Sequence, residues 1–111
     1  MKEVIIINKD TMGSGSQELG KRLIIAFVKK LWASPIKPEA IIFYNGAVKL
    51  LTSAGGCLEA LHFLEEAGVD LVACGSCVNF FDLNKQLRVG RISSMEEILD
   101  MIQKAQKVVT I

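Results

Sequence analysis

The sequence is poor in several residue types, and each shortage narrows what the chain can be. It holds two prolines, one histidine, one tryptophan and one tyrosine among 111 residues, and its formal net charge is only +1. A near-neutral, half-apolar chain lacks both the basic surface of a nucleic-acid-binding domain and the composition of a disordered segment. One histidine and three cysteines without paired spacing are a poor donor set for zinc, so we predict no metal site, and we predict no cofactor.

The chain also lacks a long apolar segment. The longest continuous run, LIIAFV at 23–28, is far shorter than a membrane span. The start, MKEVIIINKD, has one lysine and a short apolar run rather than the core of a signal peptide. We therefore expect a cytoplasmic protein with no membrane partner. Thiols in that compartment stay reduced, and an odd number of cysteines argues against a disulfide framework.

Short apolar runs alternate with longer amphipathic ones along the chain. Apolar, often β-branched runs predict strands at 3–7, 40–44, 70–74, 86–90 and 107–111. The segments between them predict helices at 17–33, 45–52, 57–68, 76–83 and 95–105. Strands that are apolar on both faces and alternate with helices predict an α/β fold with three α/β/α layers and a mainly parallel sheet of about five strands. The length fits one domain, 1–111.

The helices carry their own signals. In the first helix the period of 3.6 predicts one apolar stripe, formed by Leu19, Leu23, Phe27 and Leu31. Ser14 or Ser16 is the expected N-cap of that helix. The pair Ser94 and Glu97 predicts a capping box at the start of the last helix.

Three loops follow predicted strands and contain glycine: DTMGSGS at 10–16, NGAVK at 45–49 and CGSC at 74–77. The carboxyl ends of parallel strands lie at one edge of a sheet, so these loops predict a binding crevice there. The candidate binding residues in them are Gly13, Ser14, Gly15, Asn45, Gly46, Lys49, Gly75 and Ser76. DTMGSGS lacks the ending of a P-loop, so it is either an anion cradle or a capped, flexible loop.

The CGSC loop holds the candidate catalytic residues, Cys74 and Cys77. We expect Cys74 to end its strand, Gly75 to permit a tight turn, and Ser76 to cap a helix whose first turn contains Cys77. The helix start would then lower the pKa of a cysteine and favour its thiolate. The alternative, that both sulfurs are buried packing groups, stays open on the motif alone. Cys57 carries no neighbouring chemistry and is expected to be a bystander.

Three segments together resemble a known family: IIINKDTMGSGSQELGKRLI, FYNGAVKLLTSAG and LEEAGVDLVACGSCVNFFDLNKQLRVGRISSMEEI. They are similar to the DsrE/DsrF-like family, and in particular to the C-terminal domain of its YedF-type, sulfurtransferase-like selenium metabolism proteins. VACGSC is the most specific part of this resemblance. It implies a single DsrE-like domain and a role in handling sulfur or selenium.

The resemblance also implies roles for residues and partners. It implies that Cys74 carries sulfane sulfur as a persulfide, while Cys77 belongs to the YedF-like variant of the motif. The partners implied are sulfur donor and acceptor proteins, among them a separate SirA/TusA-like protein, because this chain has no room for such a domain. A homo-oligomer, trimer or hexamer, is implied as well. If active, the protein is sulfurtransferase-like.

Two other functions stay open at this point. The CxxC pair is compatible with a thiol–disulfide redox or sensor protein, although no aromatic residue precedes Cys74. The glycine-containing loops are compatible with a non-enzymatic module that binds an anion or a nucleotide and serves assembly.

Overall fold

The computed structural model describes residues 2–111 of the chain. Its five strands are β1 (Glu3–Ile7), β2 (Ala40–Phe43), β3 (Asp70–Cys74), β4 (Arg91–Ser93) and β5 (Lys107–Thr110). Its four α-helices are α1 (Gln17–Ala33), α2 (Leu58–Glu66), α3 (Gly75–Phe80) and α4 (Met95–Lys104). The segments Asn45–Leu51 and Ser53–Gly55 are 3-10 helices rather than the α-helix expected at 45–52.

The strands form one sheet in the order β4-β3-β2-β1-β5, and every neighbouring pair is parallel. The predicted α/β fold with helices on both sides of a five-stranded sheet is therefore confirmed. Because all strands run in the same direction, the segments that follow β1, β2 and β3 leave from one edge of the sheet. The CGSC segment lies at this edge.

The core has two parts, one on each face of the sheet. Successive side chains of a strand point to opposite faces, so strands covered on both sides are apolar throughout. On one face α1, α2 and the first 3-10 helix cover residues that include Ile5, Ile7, Ile41, Phe43, Leu71 and Ala73. On the other face, α4 covers residues that include Val4, Ile6, Ala40, Ile42, Val72 and Cys74.

The predicted apolar stripe of α1 is half confirmed, because Phe27 and Leu31 pack against the core but Leu19 and Leu23 do not. The structure buries Gly20, Ile24 and Val28, whereas Leu19 is 53 % exposed and Leu23 is 43 % exposed. The helix is rotated because the loop after β1 crosses it at Gly20, where the N–H of Met12 donates to the Gly20 carbonyl at 2.9 Å. Only glycine leaves room for this crossing, since a Cβ at Gly20 would lie 3.0 Å from the Cβ of Thr11.

The fourth strand also differs from the prediction, which placed it at 86–90. In the structure β4 begins at Arg91 and pairs with Val72–Cys74. The preceding segment is held elsewhere, because the N–H of Arg88 donates to the Leu51 carbonyl and the N–H of Gly90 donates to the Glu65 carboxylate. These bonds keep the apolar residues of 86–90 out of the sheet ladder.

The serines at the helix starts act largely as predicted. Ser16 caps α1 by accepting the N–H of Leu19, and Ser94 caps α4 by accepting the N–H of Glu97. The second half of the predicted capping box is replaced. The Glu97 carboxylate accepts from the Arg91 guanidinium at 2.8 Å and from the hydroxyl of Ser93.

None of the helices described within residues 2–111 has the length and apolar character needed to span a bilayer.

Candidate functional site

The CGSC segment joins β3 directly to α3. Cys74 is the last residue of β3, as predicted, and Cys77 lies in the first turn of α3, as predicted. Ser76 is the second residue of this helix rather than its cap, and Cys74 itself occupies the N-cap position without a side-chain hydrogen bond. The expectation that Ser76 caps the helix is therefore wrong, because the helix begins earlier, at Gly75.

The two sulfurs differ in their access to solvent. Cys74 is only 3 % exposed and packs under α4 with the second part of the core. Cys77 is partly exposed and packs against both parts of the core. Cys77 is therefore the sulfur of the pair that a molecule in solution meets first.

Gly75 lies where a side chain would be tightly packed. A Cβ at this position would lie 3.1 Å from the Ser93 carbonyl oxygen and 3.2 Å from Cγ2 of Ile92. Its φ lies outside the left-handed region, so the expected role in a tight turn is replaced by a close approach of β4 to the start of α3. This approach fixes the position of the CGSC segment against the sheet.

The loop after β2 and the CGSC segment after β3 are joined by a hydrogen bond to the Cys77 sulfur. The backbone N–H of Asn45 donates a hydrogen bond to the Sγ of Cys77 at 3.0 Å. Asn45 has a φ of 52°, in the left-handed region that asparagine tolerates better than most residues. The loop after β2 is thus held in an unusual conformation that aims one backbone donor at Cys77.

The environment raises the pKa of the Cys77 thiol above its ordinary value. Burial is the main cause, the Asn45 N–H opposes it, and the adjacent Cys74 side chain adds to the increase. This direction is opposite to the lowering predicted for the start of α3, because desolvation by burial outweighs the Asn45 hydrogen bond. Burial also raises the pKa of Cys57 to about 11, which agrees with an inert role for that residue.

A cavity of about 250 Å³ opens beside Cys77. We call it the thiol cavity, and its lining consists of Asn45, Ser76, Cys77, Phe80 and Phe81. Phe80 is 82 % exposed, and its ring meets that of Phe81 edge to face with centroids 5.1 Å apart. The structure thus brings three predicted site residues, from two loops, to one opening.

A second cavity, of about 300 Å³, shares Phe81 with the thiol cavity. We call it the lysine cavity, and it is lined by Asp10, Lys21, Lys49, Leu50, Thr52, Ala54, Gly55, Phe81, Leu83 and Gln86. The ammonium of Lys49 lies 4.5 Å from the centroid of the Phe81 ring. Lys49 therefore points into a cavity next to the thiol cavity, and Phe81 forms the wall that the two cavities share.

The loop after β1 contributes a different residue to the site than the sequence predicted. Gly13, Ser14 and Gly15 are exposed, and they line neither of these two cavities. Asp10 of the same loop does line the lysine cavity, and a Cβ at Gly46 would lie 3.8 Å from its backbone nitrogen. Gly46 thus packs the second loop on the first with ordinary contacts.

Sequence reasoning missed Asp10, Lys21, Gln86 and Phe81 as lining residues. Asp10 is the first residue of the DTMGSGS loop, so its position was a usable signal. Lys21 stands in the exposed part of α1, and only the structure shows that it faces the same opening as Lys49. Among residues 2–111, no group of three or more His, Cys, Asp or Glu side chains is placed to hold a metal ion.

Comparisons with solved structures identify the fold of this chain. No curated protein matches the sequence. Among solved structures, the ychN protein from E. coli is 20 % identical, with a TM-score of 0.68 over 99 % of this chain and 98 % of that one. A conserved protein of unknown function from Bacteroides thetaiotaomicron is 13 % identical, with a TM-score of 0.67 over 99 % of this chain and 95 % of that one. These likenesses show the fold.

The sequence itself carries the family assignment. The profile of the DsrE/DsrF-like family matches residues 1–111, which is the whole sequence. Proteins of that family are generally related to sulfur relay. The chain, with its parallel five-stranded sheet and its cysteine pair after β3, belongs to the DsrE/DsrF-like family.

Proposed function

We propose that the protein is a sulfur carrier that holds sulfane sulfur as a persulfide on the Cys74–Cys77 pair. The observation that carries this proposal is the placement of Cys77, which lines an open cavity and accepts the Asn45 N–H while Cys74 lies buried beside it. Cys77 is the sulfur that meets the donor, and Cys74 is the second thiol. This assignment reverses the order implied by the resemblance, in which Cys74 is the carrier.

The transfer step needs only thiol chemistry. The Cys77 thiolate attacks the outer sulfur of a donor persulfide, R–S–SH, so that a Cys77–sulfur bond forms and the donor's sulfur–sulfur bond breaks. The donor leaves as its thiolate, R–S⁻, and Cys77 holds S–SH. An acceptor thiolate then attacks the outer sulfur, takes it, and returns Cys77 as a thiolate.

The surroundings of Cys77 suit a loaded sulfur. A persulfide is more acidic than the thiol from which it forms, so the loaded form carries the negative charge more readily. The Asn45 N–H is a fixed donor at that point, and hydrogen bonds to an anion are stronger than those to a neutral group. The aromatic rings of Phe80 and Phe81 line the same cavity and shield the outer sulfur on one side.

Cys74 has a role after loading. Its thiolate attacks the inner sulfur, the Sγ of Cys77, so that a Cys74–Cys77 disulfide forms and hydrosulfide leaves. Thiolate exchange of this kind follows the ordinary rules of disulfide chemistry.

The partners of such a carrier are donor and acceptor proteins, including a separate SirA/TusA-like protein, and selenium is an alternative cargo. We further propose a homo-oligomer, a trimer or a hexamer.

Mass spectrometry of the full chain after incubation with a persulfide donor tests the proposal. We expect one added sulfur on Cys77 in Cys74→Ser, that adduct together with the Cys74–Cys77 disulfide in the wild type, and neither product in Cys77→Ser. Loading that survives Cys77→Ser and is lost in Cys74→Ser would return the carrier role to Cys74. No adduct on either cysteine, with a control carrier loaded in parallel, rules out the function.

A thiol–disulfide redox protein is the second candidate. The observation that favours it is the proximity of the Cys74 side chain to Cys77, which is close enough to affect the Cys77 pKa. Titration of the pair against a glutathione redox buffer separates the two functions. A pair that stays reduced under mild oxidation but accepts sulfur is a carrier and not a redox couple.

A further inference from the structure

The lysine cavity carries an excess of positive charge next to the thiol cavity. Two lysines, Lys21 and Lys49, line it together with one acidic residue, Asp10. The ion pairs found within residues 2–111 involve neither lysine. Both ammonium groups are therefore available to a ligand, and the ligand that matches them is an anion.

We propose that the lysine cavity binds the anionic head of a small sulfur compound, whose sulfane sulfur is directed past Phe81 to Cys77. This inference rests on the proposed carrier function and names the donor class that the site accepts. Its starting point is Phe81, which lines both cavities, so the lysine cavity adjoins the cavity that Cys77 lines.

The position of Lys49 supports an anion site. Lys49 is only partly exposed, and its ammonium lies 4.5 Å from the centroid of the Phe81 ring. Such a cation–π contact orients the side chain without neutralising its charge. The charge is therefore held at the boundary between the two cavities rather than moving freely in solvent.

The other walls define the kind of anion. Leu50, Leu83 and Phe81 are apolar and suit a large, polarisable sulfur atom, whereas the Gln86 amide adds a hydrogen-bond donor. At about 300 Å³ the cavity is at the small end of ligand sites in proteins. A small oxoanion or carboxylate fits this description better than a nucleotide.

Thiosulfate is the simplest compound of this class, and its reaction with the site balances. The Cys77 thiolate attacks the outer sulfur of S–SO₃²⁻, so that a bond forms between Sγ and that sulfur. The sulfur–sulfur bond of thiosulfate breaks, and its electron pair leaves with sulfite, SO₃²⁻. Cys77 is left as the persulfide anion, and no external oxidant or reductant is consumed.

Binding is measured first, by calorimetric titration of the full chain with sodium sulfate and with sodium thiosulfate. Sulfate has the same charge as thiosulfate but no sulfane sulfur, so it reports binding without transfer. We expect Lys49→Met and Lys21→Gln each to weaken both anions about tenfold, which corresponds to about 1.4 kcal/mol. Lys49→Met keeps the hydrocarbon part of the side chain over Phe81.

Lys30→Gln is the matched control, because it removes one exposed lysine from the far end of α1. It should leave the affinity for both anions unchanged. If the wild type, the two cavity variants and this control bind the anions with equal affinity, binding is due to general surface charge and the proposed site is wrong. A loss confined to Lys21→Gln and Lys49→Met supports it.

Transfer is measured second, by mass spectrometry after exposure to thiosulfate or to cysteamine persulfide, whose ammonium group leaves it without net negative charge. We expect Lys49→Met to load about tenfold more slowly from thiosulfate and at the wild-type rate from cysteamine persulfide. Loading at equal rates in all variants from both donors overturns the anion site and leaves the carrier intact. Lysine-dependent sulfate binding in a protein that neither donor loads overturns the carrier function and supports the site.

Discussion

The backbone of Asn45 and the sulfur of Cys77, 32 residues apart in sequence, are joined by a hydrogen bond of 3.0 Å. The bond depends on the left-handed backbone of Asn45, with its φ of 52°. A β-branched residue avoids this conformation, which costs most L-residues about 1–2 kcal/mol. The loop after β2 therefore needs a residue that tolerates the left-handed conformation at the point where it contacts the Cys77 thiol.

Asn45→Val should therefore move the N–H away from Cys77. We expect the free energy of unfolding to fall by about 1–2 kcal/mol and the pKa of Cys77 to rise further, because the one group that lowers it is displaced. The rate of alkylation by iodoacetamide at pH 8 reports the second effect. Asn45→Gly is the control, because glycine adopts the same φ and keeps the N–H. Equal alkylation rates in both variants would show that the bond does not tune the thiol.

The three cysteines should react in a fixed order. Cys77 is the only one of them that is not buried, and burial raises the pKa of Cys57 to about 11. We expect alkylation of the folded protein at pH 8 to label Cys77 first and Cys57 more slowly. The Cys77 rate should still be rising with pH above the ordinary thiol pKa of about 8.5, because its own pKa is raised.

Peptide mapping with mass spectrometry assigns each label. The same reaction in denaturant is the control, and there the rates should approach one another because burial is lost. Preferential labelling of Cys74 in the folded protein contradicts the order and would mean that α4 opens over Cys74 on the timescale of the reaction.

The architecture was predictable because the strands are apolar on both faces. β1 and β3 were placed with correct ends, since continuous runs such as EVIII and DLVAC have no other way to be buried. The errors concern contacts that no local pattern encodes. The rotation of α1 depends on a loop that crosses it at Gly20, and the position of β4 depends on the hydrogen bond from Arg88 to Leu51.

The candidate site was predictable at the level of loops but not of atoms. The topology rule brought NGAVK and CGSC to one edge, and the Asn45–Cys77 bond joins them there. The same rule gave no information on which cysteine is buried. It also missed Lys21, because the direction of its side chain depends on the rotation of the first turns of α1, where the predicted burial of Leu19 and Leu23 was wrong.

Two glycines near the lysine cavity should differ sharply in their tolerance of alanine. A Cβ at Gly55 would lie 2.6 Å from Cα of Leu50 and 2.9 Å from its carbonyl oxygen, so backbone has to move. We expect Gly55→Ala to lower the free energy of unfolding in urea by about 1–3 kcal/mol, the usual effect of overpacking. Gly46→Ala is the matched control, because its Cβ finds only contacts of 3.8 Å or more.

Gly46→Ala should be neutral or should raise the stability by about 0.4–1 kcal/mol, because alanine restricts the unfolded chain. If Gly46→Ala lowered the free energy of unfolding more than Gly55→Ala, the 3-10 helix Ser53–Gly55 would be able to move away from Leu50 without destabilising the fold. Since Gly55 lines the lysine cavity, the same pair of variants also shows whether the shape of that cavity affects anion affinity.

Glu97, which is paired with Arg91, should contribute to the response of the fold to acid. The Arg91 guanidinium and the Ser93 hydroxyl lower the pKa of Glu97 to about 2, and an unfolded glutamate titrates at about 4.3. A lowered pKa contributes stability that is present above the unfolded value and is lost as pH falls through the folded one. The free energy of unfolding of the wild type should therefore decline between about pH 5 and pH 2. That of Glu97→Gln should decline less, so that the two curves converge near pH 2.

The control is Glu96→Gln, which removes a carboxylate from the same turn of α4. Its curve should run parallel to that of the wild type, because Glu96 takes part in none of the ion pairs found within residues 2–111. Urea denaturation at a series of pH values measures all three, and a Glu97→Gln curve parallel to the wild type would place the acid sensitivity elsewhere.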